Sequence, residues 1–302
     1  MIGRDRFATV PATAAADSGP APAPRLLPPQ SVNAGNAWGR AFEVFSLDLG
    51  HHARRPLFGF LLLLVGFMSF AMSKGNASIG SGSTSVGGGK AFITSEFALS
   101  QLFVLMVSAI YIMFIAVGAG MALIRDAEQK VGEIIHSTPL KPAEYVWGKF
   151  FAILAAFVGV LAFHTALMMF FNHGVPHGEN VDMIGPFALG NYVRAALLFG
   201  VPILVFIGGV SFAFGALTRQ PILVFFVPLT VLLGGVFFFW DWSPSWLSPG
   251  VNRILMLVDL TGYRWLKETW LDVDRGVSFY NRAHVGLDVT FLLNRLLCVV
   301  AG

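Results

Sequence analysis

Five long apolar stretches, separated by polar segments, dominate the hydrophobic pattern of the chain. A transmembrane helix needs about 20 apolar residues, with a range of about 17–25. The first stretch is slightly short, but Arg55 and Lys74 flank it, and their stems allow the charges to reach the membrane surface. The stretches are Leu57–Met72, Phe97–Ile124, Phe150–Phe171, Ala195–Leu217 and Ile222–Trp240. The pattern therefore predicts an all-α, polytopic membrane protein with five transmembrane helices and the start of a sixth.

The two ends of the chain differ from this central pattern. Residues 1–36 are rich in Ala and Pro and have no periodicity, which predicts a disordered tail. A sixth apolar segment begins near Val289 and runs to Gly302, too short to cross a membrane alone. We therefore expect a transmembrane domain over 57–302 that is truncated in its sixth span, as the front part of a longer protein would be.

An amphipathic helix is predicted over residues 37–56, before the first span. The basic run from His51 to Arg55 follows its apolar positions, which favours a helix lying in the membrane interface over a plain soluble helical turn. The apolar positions that recur at helical spacing are Trp38, Phe42, Phe45 and Leu49, with Arg40, Glu43 and Asp48 elsewhere around the helix.

Composition and charge agree with a membrane protein. Hydrophobic residues make up 55% of the chain and charged residues 12%, whereas a soluble domain carries about 25% charged residues. This excludes an ordinary globular enzyme, and the single cysteine, Cys298, excludes an intramolecular disulfide and a Cys-based zinc site. Lys and Arg concentrate before the first span and in the loop 125–149, which predicts a cytoplasmic N-terminus and a cytoplasmic loop.

Catalytic and metal-binding motifs are weak. The run GSTSVGGGKAF fails as a phosphate-binding loop, because Thr84 stands where a Gly is needed and Ala91 where a Ser or Thr would hold magnesium. His173, His177 and Glu179 are conceivable metal ligands, but the intervening Gly and Pro favour a solvated turn. We therefore expect no catalytic residue, no metal site and no cofactor in this chain.

Ionisable residues within the predicted spans are few. We single out His164, Arg194 and Arg295 as intramembrane polar candidates. Arg194 and Arg295 lie near a predicted outer boundary, where snorkelling to the membrane surface explains them, and His164 suits a substrate or packing contact. The scarcity of midplane acids argues against an ion-coupled carrier. The external segment 241–288 is predicted to rest on the outer leaflet through its aromatic residues, which are Trp246, Tyr263, Trp265, Trp270 and Tyr280.

The loop 125–149 carries the most information about function. It is predicted to form a helix that ends near Thr138 and Pro139, with an apolar spot at Ile134 and Ile135, and then a second helix from Ala143. Such a segment, joined to two spans, suits contact with a soluble partner, although a plain connecting loop is the alternative.

The run from Arg125 to Lys149, R-D-x-E-x-x-x-G-E-x-x-x-S-T-P-x-x-x-x-E-Y-x-x-G-K, resembles the coupling segment of type-2 ABC exporter permeases. The order of interfacial helix, short first span, coupling loop and long external segment is similar to that family. The runs Asp259-Leu-Thr-Gly and Phe291-Leu-Leu-Asn-Arg295 resemble the permease part of bacterial proteins that fuse such a permease to a zinc aminopeptidase-like domain.

The resemblance implies a permease subunit of a bacterial inner-membrane exporter. ATP and Mg would be bound by a separate ABC ATPase subunit that docks on the loop, and two permease units would form the translocation path. Glu133 would contact the ATPase, and Gly132 and Pro139 would shape the coupling helix. The coupling residues implied in this way are Arg125, Asp126, Glu128, Gly132, Glu133, Ser137, Thr138, Pro139 and Glu144. A membrane anchor for an aminopeptidase-like domain and an ATP-independent carrier are the alternatives.

Overall fold

The structure, a computed structural model, describes residues 36–74, 80–81, 84–87, 90–131, 139–177, 182–240, 242–244 and 246–302. This part of the chain is predominantly helical, so the predicted all-α class is confirmed. The predicted tail lies outside the described residues except for Asn36.

Among the described residues, four helices are long and apolar enough to cross a membrane. They are α2 (Pro56–Ser73), α3 (Glu96–Glu128), α4 (Pro142–Gly174) and α5 (Leu189–Thr218), and the amphipathic helix α1 (Ala37–Ala53) precedes them. The fifth predicted stretch forms a shorter helix, α6 (Pro221–Gly234), which continues as a π-helical turn over Gly235–Trp240. Each predicted apolar stretch thus corresponds to one helix.

The helices α3 and α4 are longer than their apolar stretches. Each has 33 residues, and at about 1.5 Å per residue each is about 50 Å long, against about 30 Å for the bilayer core. Their polar ends include residues 125–128 and 142–149, which are the two ends of the predicted loop 125–149. Hydrophobicity alone underestimates both lengths, because a helix that leaves the membrane loses its apolar pattern and keeps its backbone hydrogen bonds.

The long helices share one hydrophobic core, which includes Tyr111, Phe157 and Leu204. The helices α3 and α5 pack along each other, and a side chain added at Gly215 would overlap the backbone of Gly120. Small residues at such a contact allow two membrane helices to approach closely. This contact fixes the position of α3, whose end leads into the loop.

The remaining elements lie at the end of the long helices opposite the loop 125–149. They include the external segment 241–288. A short antiparallel pair, β1 (Gly80–Ser81) and β2 (Thr84–Ser85), lies between α2 and α3, with Gly80 opposite Ser85. The later elements are α7 (Pro249–Val258), α8 (Tyr263–Leu266, continued by a π-helical turn over Lys267–Leu271), α9 (Val277–Arg282) and α10 (Val289–Ala301).

The prediction that the external aromatic residues rest on the outer leaflet is wrong for three of them. Tyr263, Trp265 and Tyr280 are at most 5% exposed and form a second hydrophobic core with Phe97 and Phe291. The segment is long enough to bury these rings against the ends of α3 and α10. Trp246, by contrast, is 72% exposed.

Candidate functional site

The helix α1 directs its polar side towards α4 and its apolar side outwards. Trp38 is 81% exposed and Leu47 is 77% exposed, whereas Asp48 and His52 are buried. A soluble amphipathic helix buries its apolar side instead. An exposed apolar side suits a helix whose outer surface faces lipid, and the interfacial position of α1 stays a prediction.

One ion pair joins α1 to the beginning of α4. The guanidinium of Arg40 donates to both carboxylate oxygens of Glu144, with distances of 2.8 Å from Nε to Oε2 and 2.7 Å from Nη2 to Oε1. The same carboxylate accepts a hydrogen bond of 3.1 Å from the backbone N–H of Lys141, immediately before α4. Glu144 therefore fixes the first turn of α4 and attaches α1 to it. Two parallel charge-assisted bonds also fix the relative orientation of the two groups.

A second group of charges joins α1, α3 and α4. The ammonium of Lys149 lies 3.3 Å from Oδ1 of Asp48 and 3.0 Å from Oδ2 of Asp126. The hydroxyl of Tyr145 donates to Asp126, and Nδ1 of His52 lies 3.3 Å from the Asp48 carboxylate. We call Arg40, Asp48, Asp126, Glu144, Tyr145 and Lys149 the loop-base cluster.

The close contact between α1 and α4 depends on Gly148. A Cβ atom at this position would lie 2.8 Å from the carbonyl oxygen of Ala41 and 2.9 Å from the side chain of Val44. Because glycine has no side chain, the backbones approach closely enough for Arg40 and Lys149 to reach their carboxylates. Packing and charge pairing therefore occur at one contact.

The electrostatic environment of Asp48 reflects this cluster. Burial by itself would raise the pKa of the Asp48 carboxyl, but the hydrogen bond to His52 and the positive charge of Lys149 hold that pKa below its ordinary value. The carboxylate is therefore ionised when the cluster is assembled.

The structure places the predicted coupling residues in three different settings. Asp126 and Glu144 belong to the loop-base cluster, Arg125 is half-buried beside it, and Glu128 and Pro139 are exposed. Four others lie outside the described residues, namely Gly132, Glu133, Ser137 and Thr138. The helix α4 begins at Pro142, one residue before the predicted Ala143.

Sequence reasoning missed the partners that α1 contributes. Arg40, Val44, Asp48 and His52 are spaced by four residues, so they form one stripe on a helix. This spacing was the available signal, because a polar stripe that includes both signs of charge favours a protein contact over a lipid surface. Tyr145 and Lys149 are fixed positions of the run from Arg125 to Lys149, although they were not singled out among the coupling residues.

The intramembrane candidate His164 is buried in the packed core of the long helices. Its Nδ1 atom lies 3.2 Å from the hydroxyl of Tyr111, and its ring makes an edge contact with Phe103. Tyr111 ends a π-helical turn, Val107–Tyr111, within α3. Such turns occur often at functional sites. The geometry nevertheless gives His164 a packing role, since protein groups occupy its surroundings.

The two intramembrane arginines are held by protein groups. Arg194 forms an ion pair of 3.1 Å with the buried Glu96 and donates to the backbone carbonyl of Val285. The snorkelling interpretation is wrong for Arg295, which is only 6% exposed and donates to Asn294 and to the backbone carbonyl of Leu260. The external segment covers this end of α10 and supplies the acceptors that water would otherwise provide.

The quoted run Asp259-Leu-Thr-Gly of the external segment contacts the run Phe291-Leu-Leu-Asn-Arg295 on α10. The Asp259 carboxylate accepts hydrogen bonds from the backbone N–H groups of Thr261 and Arg264. Asn294 donates to the carbonyl of Asp259 at 2.8 Å. We call Asn252, Asp259, Arg264, Glu268, Asn294 and Arg295 the external-segment cluster.

Comparison with known proteins places the chain in a family. The family described as "ABC-2 family transporter protein" matches residues 72–261, which is more than half of the chain. Neither a curated protein nor a solved structure matches. The matched region includes α3 to α7 and the loop between α3 and α4. The chain therefore belongs to the ABC-2 family of transporter proteins and is a multi-pass membrane protein.

Proposed function

We propose that this chain is the permease subunit of an ATP-driven exporter in a bacterial inner membrane. It would couple ATP hydrolysis in a separate ABC ATPase subunit to translocation of a substrate between two permease units. Family membership supports a transport subunit, and the loop-base cluster is the observation that carries the coupling role.

The cluster joins the elements that a docked partner would have to move. The loop 125–149 leaves the end of α3 and returns at the start of α4, and Lys149 bridges Asp126 on α3 to Asp48 on α1. A force on the loop would therefore displace the ends of three helices as one unit. Conformational coupling requires such an element, whose position both the ATPase and the transport path can bias.

In this mechanism the permease contributes no covalent step. ATP and Mg would bind to the partner subunit, and closure of two ATPase subunits would push on the two loops. The long helices α3 and α4 would tilt, and the path between the permease units would open to the other side of the membrane. The apolar character of the spans suits lipids, hydrophobic peptides or drugs as substrates, and the export direction follows from the resemblance of the loop.

The first test is photo-crosslinking at the loop in native membranes. A photoactivatable residue at Gln129, an exposed position within the loop, should capture a nucleotide-binding subunit that mass spectrometry identifies. The same residue at Val273, which is 70% exposed on the external segment, is the matched control and should capture none. Glu133→Lys should abolish the capture and ATP-driven transport, while the protein stays folded in the membrane.

The alternatives predict different results. An ATP-independent carrier or a peptidase anchor would yield no nucleotide-binding subunit at Gln129, although the position reacts with a soluble reagent. Normal transport by the Glu133→Lys variant would show that the loop does not receive the ATPase.

A further inference from the structure

A crevice opens beside the loop-base cluster, where α1 leads into α2. It holds about 310 Å³ of empty space when its open mouth is included. Two of its lining residues are basic and the others are apolar. The lining residues are His52, Arg55, Leu57, Phe58, Leu61, Phe114, Gly118 and Phe157.

His52, which lines this crevice, has one ring nitrogen without a hydrogen-bond partner among the described residues. Its Nδ1 atom lies 2.9 Å from the carbonyl oxygen of Asp48 and 3.3 Å from the Asp48 carboxylate, so Nδ1 carries a hydrogen. The other ring nitrogen, Nε2, is buried and has no hydrogen-bond partner among the described residues, and the whole residue is only 4% exposed. Buried nitrogen atoms of side chains almost always have a hydrogen-bond partner, so Nε2 of His52 is an exception that needs an explanation.

Arg55 supplies a second group in need of a partner. Its side chain is half-buried, and within the described ranges it makes no hydrogen bond or ion pair. Burial lowers the pKa of the Arg55 guanidinium, and the positive charge of Arg125 acts in the same direction. The N-terminus of α2, which follows Arg55 directly, adds the positive end of a helix dipole. The carboxylates of Asp48 and Asp126 partly offset this positive charge. Neither forms an ion pair with the Arg55 guanidinium, which is therefore left to bind an anion.

The remainder of the crevice is suited to a hydrocarbon chain. Phe58 and Leu61 come from the first turns of the spanning helix α2, and Phe114 and Phe157 come from α3 and α4. Free phosphate would satisfy the basic mouth but would leave these apolar walls without contacts. Basic pockets between membrane helices on the cytoplasmic side suit anionic lipid head groups.

We propose that this crevice binds one anionic phospholipid. The phosphate accepts hydrogen bonds from the Arg55 guanidinium beside His52, and one acyl chain lies along Phe58, Leu61 and Phe114. The bound lipid joins α1 to α2 next to the loop-base cluster, so it belongs to the same structural unit as the coupling contacts. The proposal does not depend on the transport direction or on the identity of the substrate.

The test compares phosphatidylglycerol with phosphatidylcholine on the purified full chain, by native mass spectrometry of the bound lipid. We expect phosphatidylglycerol to bind the wild-type protein more tightly, and Arg55→Gln to weaken its binding by about tenfold, as expected for loss of one charge-assisted hydrogen bond. Arg54→Gln removes the same charge one residue away from an exposed position outside the crevice. This control should change the binding by less than about twofold.

Three results would overturn the proposal. One is equal affinity for phosphatidylglycerol and phosphatidylcholine, and another is an Arg54→Gln effect as large as that of Arg55→Gln. The third is displacement of phosphatidylglycerol by inorganic phosphate at an equal concentration, which would identify a phosphate site without a lipid chain.

A second measurement on the wild-type chain needs no variant. Phosphatidylglycerol with a photoreactive acyl chain should label the peptides that contain Phe58 and Phe114. Labelling confined to other surfaces of the protein would contradict the proposed acyl-chain position.

Discussion

The loop-base cluster and the external-segment cluster both contain buried charges, but the charges bind different kinds of partner. At the loop base, side chains pair with side chains from distant parts of the sequence, as Arg40 does with Glu144 and Lys149 with Asp48. In the external segment, Arg264 pairs with the nearby side chains of Glu268 and Asn252 and also donates to the backbone carbonyls of Trp242 and Phe239, at 2.9 and 3.2 Å.

This difference separates two physical tasks. Backbone acceptors lie in the turns themselves, so bonds to them fix the path of an irregular segment that has no helix to support it. Ion pairs between side chains leave each helix intact and determine only how the helices are joined. We therefore expect damage to the external-segment cluster to unfold that segment, and damage to the loop-base cluster to disconnect helices that remain folded.

The largest effect is expected from Arg264→Met. Arg264 is 1% exposed, and its loss removes the cation that pairs with Glu268 and the donor to Oδ1 of Asn252 and to two backbone carbonyl groups. Removing one partner of a buried charge network costs about 3–5 kcal/mol, so the free energy of unfolding in detergent should fall by about this amount. Arg253→Met is the control, because Arg253 is exposed on α7 and should change stability by less than about 0.5 kcal/mol. Equal unfolding curves for the two variants would contradict the structural role of this cluster.

We expect Lys149→Met to lower the stability less than Arg264→Met does, and to have a larger effect on the coupling between ATP hydrolysis and transport. The substitution leaves the carboxylates of Asp48 and Asp126 without their shared cation, although Asp126 keeps its hydrogen bond from Tyr145. We expect the free energy of unfolding to fall by about 1.5–3 kcal/mol, as for the loss of a hydrogen bond between charged groups. ATP-driven transport should be lost, while near-ultraviolet circular dichroism still reports a packed external segment.

A double variant tests whether charge is the cause. Adding Asp48→Asn to Lys149→Met removes one of the unpaired carboxylates and should restore part of the stability, with a coupling energy of about 1 kcal/mol or more. If the two substitutions simply add, the pair of Lys149 and Asp48 carries no interaction.

The sequence was sufficient for the elements that hydrophobicity determines. All five apolar stretches form helices at the predicted places, because an uninterrupted apolar run has no other stable structure in a bilayer. The helices α3 and α4 extend beyond their apolar stretches, since helical hydrogen bonding continues after the apolar pattern stops. The amphipathic spacing of residues 37–56 also predicted α1. Arg40, Asp48 and His52 recur on one side of that helix, so their stripe could be found from the same spacing.

The sequence was not sufficient for contacts whose partner carries no pattern of its own. Arg264 binds backbone carbonyls, which are the same for every residue type, and Arg295 depends on an external segment that covers it. The burial of Trp265 likewise requires knowing that α8 packs against α10, a contact that its own sequence does not encode. Such contacts follow from tertiary structure, and they are the ones that single-sequence reasoning misplaced.

The smallest effect is expected from acid. Protonation of the single carboxyl group of Asp48 tests whether the ion pairs of the loop-base cluster contribute to stability. The pKa of Asp48 is lower in the folded protein than its ordinary value, so its ion pairs contribute stability above the unfolded-state pKa of about 3.9. This contribution is lost as the pH falls through the lower, folded-state pKa. The unfolding temperature of the wild-type protein in detergent should therefore fall more steeply below about pH 4 than that of Asp48→Asn, which has no proton to bind there. Parallel curves for the two proteins would mean that Asp48 exchanges no net proton on unfolding. Its pairing with Lys149 and His52 would then contribute nothing to the stability of the contact between α1 and α4.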